Sequence, residues 1–175
     1  DALGGVTTTV RDRAGRAIEI RDPAGRRHIR YDPFDRVERR WDEGHAPTVT
    51  VYDDVARTIK VTTPEGVETL TTLNVHGQIV SVRDGRSNTT TYEYDRDGRL
   101  RFERRAGIDQ PVETRYDRGG RVFETQDARG TVTRFEYDAA NRVSKRTVDV
   151  GGLNLVTLTE VDQNLRRVKV TDPQG

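Results

Sequence analysis

The sequence predicts an all-β fold in which tandem hairpin repeats of about 21 residues form one continuous, curved antiparallel sheet. Three observations lead to this prediction. One short pattern returns about every 21 residues, a second turn signal falls between its copies, and Thr, Val and aromatic residues alternate with polar ones between turns. Period-two alternation bounded by Gly and Asp is typical of successive hairpins. No stretch shows the sustained period and caps of a helix.

The repeat begins with a residue pair that is most often Tyr-Asp, which occupies positions one and two. The steps between copies are 21, 21, 21, 22, 21 and 24 residues. After a degenerate first copy at Arg11-Asp12, the pairs are Tyr31-Asp32, Tyr52-Asp53, Leu73-Asn74, Tyr94-Asp95, Tyr116-Asp117, Tyr137-Asp138 and Val161-Asp162.

Positions five and six of the repeat indicate a turn. The fifth residue is mostly Gly, Asp or Asn, which tolerate positive φ, and the sixth is Arg in seven of eight copies. These pairs are Gly15-Arg16, Asp35-Arg36, Ala56-Arg57, Gly77-Gln78, Gly98-Arg99, Gly120-Arg121, Asn141-Arg142 and Leu165-Arg166. The Asp at position two then starts the turn, since its carboxylate can accept from nearby backbone N–H groups.

The Asp and Arg columns predict an ion-pair ladder. Stacked hairpins would bring the Asp of one turn close to the Arg of the next, which would fix the register between repeats. The alternative is a set of exposed pairs that contribute little.

The array is expected to be a single domain over residues 1–175, with a loop insertion near residues 149–155, where the last step is longest. Weaker turn signals near mid-repeat, such as Asp22-Pro23-Ala24-Gly25 and Asp172-Pro173-Gln174-Gly175, complete each hairpin. The missing initiator Met suggests a piece of a longer protein, and open sheet edges at both ends could drive self-association.

Composition argues against several function classes. The 30 basic and 29 acidic residues leave a net charge of +1, and an acidic residue accompanies nearly every Arg. Nucleic-acid binding, which needs an uncompensated basic patch, is therefore not expected. No apolar run approaches the roughly 18 residues of a membrane helix, and without Cys there is no disulfide or Cys-based metal site.

No catalytic, cofactor or metal site is predicted. Asp95-Arg96-Asp97-Gly98 resembles the start of an EF-hand loop, but Ala106 stands where the twelfth-position Glu would be. The remaining candidates show neither metal-ligand spacing nor a G-x-S-x-G frame; they are His28, His45, His76, Ser81, Ser87 and Ser144.

The repeat resembles the YD repeat of Rhs proteins. The stretches that carry the resemblance are YDPFDRV from Tyr31, YDRDGRL from Tyr94, YDRGGRV from Tyr116 and YDAANRV from Tyr137. The resemblance implies a β-strip that spirals into a hollow shell, which encloses a C-terminal toxin in bacterial Rhs proteins and insecticidal toxin complexes and belongs to an adhesion receptor in teneurins. The family's autoproteolytic motif D-P-x-G-x-x-x-G is not completed at Asp22, because Ile29 replaces its last Gly.

The expected function is therefore structural: part of an encapsulating shell from a secreted or cell-surface bacterial toxin. By the resemblance, its partners are the remainder of the shell and an enclosed C-terminal toxin domain. The alternative is a carbohydrate- or protein-binding module whose exposed Tyr and Arg rows grip the ligand. Loss of glycan binding in Tyr92→Ala or Tyr94→Ala, with the fold retained, would favour that alternative.

A β-propeller is the main competing architecture, and a closed barrel is a further alternative. Two repeats make 42 residues, close to a four-stranded blade of about 40–45. Blades would make odd and even copies differ, whereas consecutive copies carry the same turn residue at Gly77, Gly98 and Gly120. Equivalent neighbours favour a continuous strip.

Far-ultraviolet circular dichroism should show β-structure with almost no helix. Helix content above about one fifth would contradict the predicted fold class.

Overall fold

The computed structural model describes residues 5–162 and 167–171, and every regular element in this part of the chain is a β-strand. The prediction of an all-β fold is confirmed. The strands are β1 (Thr8–Arg11), β2 (Ala17–Asp22), β3 (Gly25–Tyr31), β4 (Val37–Asp42), β5 (Thr48–Asp53), β6 (Thr58–Thr62), β7 (Glu68–Leu73), β8 (Ile79–Arg83), β9 (Thr89–Tyr94), β10 (Leu100–Arg105), β11 (Val112–Tyr116), β12 (Val122–Gln126), β13 (Val132–Tyr137), β14 (Val143–Val148), β15 (Leu155–Asp162) and β16 (Arg167–Thr171).

The described strands form one sheet whose order is the chain order, from β1 to β16. Neighbours run antiparallel wherever their register is given, as in β3–β4 and β13–β14. A propeller would divide the strands among separate four-stranded sheets, so the continuous arrangement of hairpins is confirmed. Two compact units, Asp1–Thr89 and Thr90–Gly175, are built from the same hairpins.

A β-bulge follows most of the turns that begin at position two of the repeat. In the β3–β4 hairpin, Tyr31 pairs with Val37 but Arg30 pairs with Arg39, so Glu38 is an extra residue. The same shift occurs beside the turns of β1–β2, β7–β8, β9–β10, β11–β12 and β13–β14. A bulge increases the local right-handed twist, so a regular bulge gives successive hairpins the same twist.

The two faces of the sheet differ in chemistry, as β13 shows. Thr133, Phe135 and Tyr137 point to one face, and Arg134 and Glu136 point to the other, because side chains alternate along a strand. We call these the tyrosine face and the ionic face. Among the described residues no apolar side chain is fully buried, and no helix could span a membrane. Cohesion therefore depends on backbone pairing and on links between half-buried side chains.

The turn residues have the conformation expected at the fifth position in six copies. Gly98 and Gly120 lie at φ values of 77° and 80°, and the non-glycine residues Asp35 and Asn141 lie at 64° and 63°. Gly15 and Gly77 complete the set, at 83° and 79°. The positive φ in these turns is the conformation that Gly adopts without steric cost and that Asn and Asp tolerate.

The turn after Tyr52 differs from the prediction. Its left-handed residue is Arg57, at φ 52°, rather than Ala56. Asp53 pairs directly with Thr58 and no bulge follows, so the loop is one residue shorter and the left-handed position moves along the chain.

The connection between β14 and β15 lies in the region where the sequence analysis places a loop insertion. Residues 149–154 join β14 to β15, and the N–H of Asn154 donates to the Asp149 carbonyl at 3.0 Å. The last predicted turn pair, Leu165-Arg166, and the half-repeat turn Asp172–Gly175 lie outside the described residues.

Substitution of Gly98 or Gly120 by Val should destabilise the chain more than Ala56→Val. A β-branched side chain at positive φ costs about 1–2 kcal/mol, whereas Ala56 does not hold that conformation. Urea denaturation of the three variants measures the difference. Equal midpoints would contradict the assigned turn register.

Candidate functional site

The repeated Asp and Arg side chains close each turn together, in an arrangement that we call the Asp–Arg clamp. In the β3–β4 turn, Asp32 Oδ1 accepts from the backbone N–H groups of Phe34 and Arg36 at 2.8 and 2.9 Å. Asp32 Oδ2 accepts from Arg36 Nε at 2.8 Å. The Asp32 N–H donates to the Arg36 carbonyl at 2.8 Å. The same bonds recur in Asp12–Arg16, Asp95–Arg99, Asp117–Arg121 and Asp138–Arg142.

The clamp stabilises the ionised form of its carboxylate. A hydrogen bond from the Arg99 side chain, with further bonds from backbone N–H groups, holds the pKa of Asp95 below its ordinary value. Arg121 lowers the pKa of Asp117 in the same way, and Arg16 that of Asp12. Hydrogen bonds to a charged form favour that form.

One clamp is neutral. Asn74 Oδ1 accepts from the N–H groups of His76 and Gln78 at 2.9 and 3.0 Å, and Asn74 Nδ2 donates to Gln78 Oε1 at 2.9 Å. The Gln at position six, an exception in the sequence pattern, is therefore matched by the Asn at position two.

Two mid-repeat turns, which the sequence marks only as weaker turn signals, use the same loop. Asp84 Oδ1 accepts from the N–H groups of Arg86 and Asn88, both at 2.9 Å, and Asn88 Nδ2 donates to Asp84 Oδ2 at 3.0 Å. Asp127 makes the corresponding backbone bonds to Arg129 and Thr131. The sequence signal for this loop is an Asp with Gly or Ser three residues later and a polar residue four residues later.

Tyr at position one joins each clamp to the previous repeat, and we call this contact the tyrosine link. The Tyr116 ring lies under the Arg99 guanidinium, 4.7 Å from ring centroid to Cζ, and its hydroxyl donates to the Leu100 carbonyl at 2.8 Å. Three other links have the same form. The Tyr31 ring centroid lies 4.7 Å from Arg16 Cζ, and the Tyr31 hydroxyl donates to the Ala17 carbonyl at 3.0 Å. The corresponding distances are 4.2 and 3.2 Å for Tyr52 with Arg36 and Val37, and 4.6 and 2.5 Å for Tyr137 with Arg121 and Val122.

The Arg at position six also reaches the next turn. Arg36 donates to both carboxylate oxygens of Asp54, at 2.6 and 3.3 Å. Arg121 donates to Asn141 Oδ1 at 2.7 Å, and Arg16 donates to Asp35. The predicted ladder therefore has different partners. The Asp at position two bonds to the Arg of its own turn, because the residue four places further on lies across the turn from it. From the next repeat, that Arg bonds to the third or fifth residue instead of the Asp.

The predicted turn at Asp53 does not follow the pattern. At Asp53 the carboxylate accepts from the Ala56 N–H at 2.8 Å, and no clamp to Arg57 forms in the shorter turn. Tyr94 is half-buried at the end of β9, in register with Leu100.

A network of charged side chains on the ionic face was not predicted. Arg115 bonds to Glu113 at 3.0 Å and to Glu124 at 2.7 Å, and Arg134 bonds to Glu124 at 2.7 Å. Arg101 extends the network to β10, 3.5 Å from Glu113. Glu113 and Glu124 are the most buried of the described residues, 8% and 7% exposed. The hydrogen bond from Arg115 lowers the pKa of Glu113.

The candidate calcium turn binds its own Arg instead. Asp95 Oδ2 and Asp97 Oδ2 accept from Arg99 at 2.8 and 2.7 Å. No group of three or more His, Asp or Glu in the described part of the chain could hold a metal ion. His28 stacks on Trp41 with ring centroids 5.1 Å apart, and His45 Nδ1 lies 3.2 Å from the Glu43 carbonyl.

Residues 74–101 and 114–153 match the family model described as RHS Repeat. The chain therefore contains Rhs (YD) repeats. The matched stretches contain the clamps of Asp95, Asp117 and Asp138, so the Rhs motif is the sequence form of the clamp and the tyrosine link. A search among curated proteins found no match.

Solved structures of Tc toxins share the fold of this Rhs repeat chain. One is the pore form of the Photorhabdus luminescens Tc holotoxin, with a TM-score of 0.73, 14% identity, and coverage of 94% of this chain and 10% of the other. A TcdB2-TccC3-Cdc42 structure has a TM-score of 0.72 and 13% identity, and the match covers 98% of this chain and 10% of the other. A structure of TcdB2-TccC3 without its hypervariable C-terminal region has a TM-score of 0.60 and 12% identity, and the match covers 95% of this chain and 11% of the other. The chain thus spans about a tenth of their length.

The clamps predict a loss of stability in acid. Because the pKa values of Asp12, Asp95 and Asp117 are lowered on folding, their stabilisation is present above the ordinary Asp pKa of about 3.9 and is lost as pH falls through the lower folded value. We expect the Tm to fall between about pH 5 and pH 2.

Thermal denaturation of Asp117→Asn across that pH range should show a smaller acid loss than wild type. Asp109→Asn, at an exposed turn position outside any clamp, is the matched control. The same acid loss in Asp117→Asn, Asp109→Asn and wild type would contradict the clamp's role.

Proposed function

We propose that the chain is a stretch of wall in an Rhs-type shell that encloses and delivers a toxin domain. The observation that carries the proposal is the equivalence of the links. Arg16, Arg36, Arg99 and Arg121 each cover the Tyr of the following repeat. A sheet whose repeats are joined by a recurring link can extend over a long chain. The fold shared with Tc toxin structures, over about a tenth of their length, supports it.

In this proposal the repeats are wall and do not catalyse. Their recurrent polar side chains are used in bonds within the sheet: the clamp carboxylates accept from the turn, and four tyrosine hydroxyls donate to carbonyls. The partners are then the remainder of the shell and an enclosed C-terminal toxin domain, in a protein secreted by a bacterium.

The geometry argues against the alternative in which tyrosine rows grip a carbohydrate. A sugar-binding Tyr offers a free ring face or hydroxyl, whereas Tyr31, Tyr52, Tyr116 and Tyr137 have one face under an Arg and the hydroxyl bonded to backbone. We therefore favour the wall over the binding module.

Protection of a following domain tests the proposal. In the longer polypeptide that contains this chain, the domain after the repeats should resist protease at a concentration that digests the same domain expressed alone. Gly98→Val and Gly120→Val, which strain the wall, should restore digestion, and Ala56→Val should not. Equal digestion of the domain with and without the repeats would refute encapsulation.

A further inference from the structure

The joints between consecutive repeats differ in how much backbone pairing they contain. We call the strand pair at which one repeat meets the next a joint. β6–β7 has five residue pairs in register, β2–β3 has four and β12–β13 has three. β4–β5 and β10–β11 have two pairs each. The short joints lie one in each compact unit.

The sequence explains why these two ladders are short. Pro47 directly precedes β5, and Pro111 directly precedes β11. Proline has no N–H to donate to a ladder, so neither ladder continues in regular form toward its connecting loop. The loop at residues 106–111 is one residue longer than the loop at 63–67 that closes β6–β7, whereas the loop at 43–47 has the same length as 63–67, so loop length does not distinguish β4–β5 from β6–β7.

Side chains supply most of the connection at the short joints. At β4–β5, Arg36 covers Tyr52 and binds Asp54 through both carboxylate oxygens, and the Tyr52 hydroxyl donates to Val37. At β10–β11, Tyr116 makes the corresponding link to Arg99 and Leu100, and on the ionic face Arg101 contacts Glu113.

The five-pair joint shows the reverse arrangement. At β6–β7 position one is Leu73, which has neither a hydroxyl nor an aromatic ring, and its N–H donates to the Arg57 carbonyl at 2.9 Å. Among the joints whose register is described, the tyrosine link is thus dispensable where the ladder is longest.

We propose that β4–β5 and β10–β11 are opening joints: among the joints whose register is described, they separate first, because tyrosine links and ion pairs rather than backbone ladders hold them closed. Segments with few protected backbone bonds open at lower free energy than the rest of a fold. The proposal concerns the repeat sheet itself and does not depend on an enclosed toxin. If the chain is shell wall, these are the joints at which the wall would part.

Hydrogen–deuterium exchange of the wild-type chain is the first test and needs no variant. Peptides that contain Arg39-Arg40 with Thr48-Val49, and Phe102-Glu103 with Val112-Glu113, should exchange about tenfold faster than those of β6 and β7. Equal protection at the three joints would overturn the proposal.

Removal of the tyrosine hydroxyls is the second test. Tyr52→Phe and Tyr116→Phe should each raise exchange at their own joint by about threefold to tenfold, the effect of one lost hydrogen bond. Tyr31→Phe is the matched control, because four backbone pairs hold β2–β3, and its joint should change less than about twofold. An equal increase in all three variants would refute the idea that the link matters most where the ladder is short.

A disulfide staple provides the converse test. The chain has no Cys, and Arg39 and Val49 face each other in register, so Arg39→Cys with Val49→Cys can form one cross-link. Oxidation should slow exchange at β4–β5 about tenfold and leave β10–β11 unchanged. The proposal fails if oxidation does not slow exchange at β4–β5.

Discussion

The Arg at position six of the repeat is the residue on which the rest of the structure depends. Its Nε bonds to the Asp of its own turn, its guanidinium plane covers the Tyr of the next repeat, and in three copies its terminal nitrogens bind the next turn. A planar fork with five donors can make these contacts together, whereas the single ammonium of Lys cannot. This requirement explains why Arg rather than Lys stands at position six in the five ionic clamps.

The sheet is held together without fully buried apolar side chains in its described part. Each tyrosine link places a half-buried ring under a guanidinium and satisfies a backbone carbonyl. Each contribution is small, but in a repeat protein stability adds over units and their interfaces. A composition of 32% hydrophobic residues, low for a globular core, is consistent with a sheet that is stabilised in this way.

The exceptional copies separate geometry from charge. The Asn74–Gln78 clamp keeps the loop and its bulge without any charge. The turn at Asp53 keeps the Asp and Arg but is one residue shorter, and both clamp and bulge are lost. An ionic pair is therefore neither necessary nor sufficient for the loop, because an amide pair holds it at Asn74 and the same four-residue spacing of Asp53 and Arg57 does not form it.

The sequence by itself determined the period, the all-β class and most of the left-handed turn positions, because each depends on residues close together in the chain. Gly98, Gly120 and Asn141 could be assigned from the tolerance of their residue types for positive φ. The position of Arg57 could not, because the inclusion of Asp53 in the strand pairing, opposite Thr58, is not visible in the sequence. The tertiary structure alone decided which partners Arg36 and Arg121 have in the next repeat, and how Glu113, Arg115 and Glu124 meet on one face. Those contacts join residues of neighbouring strands, and a bulge of one residue changes which of them are opposite. Register, which the local sequence does not specify, therefore determines the links between repeats.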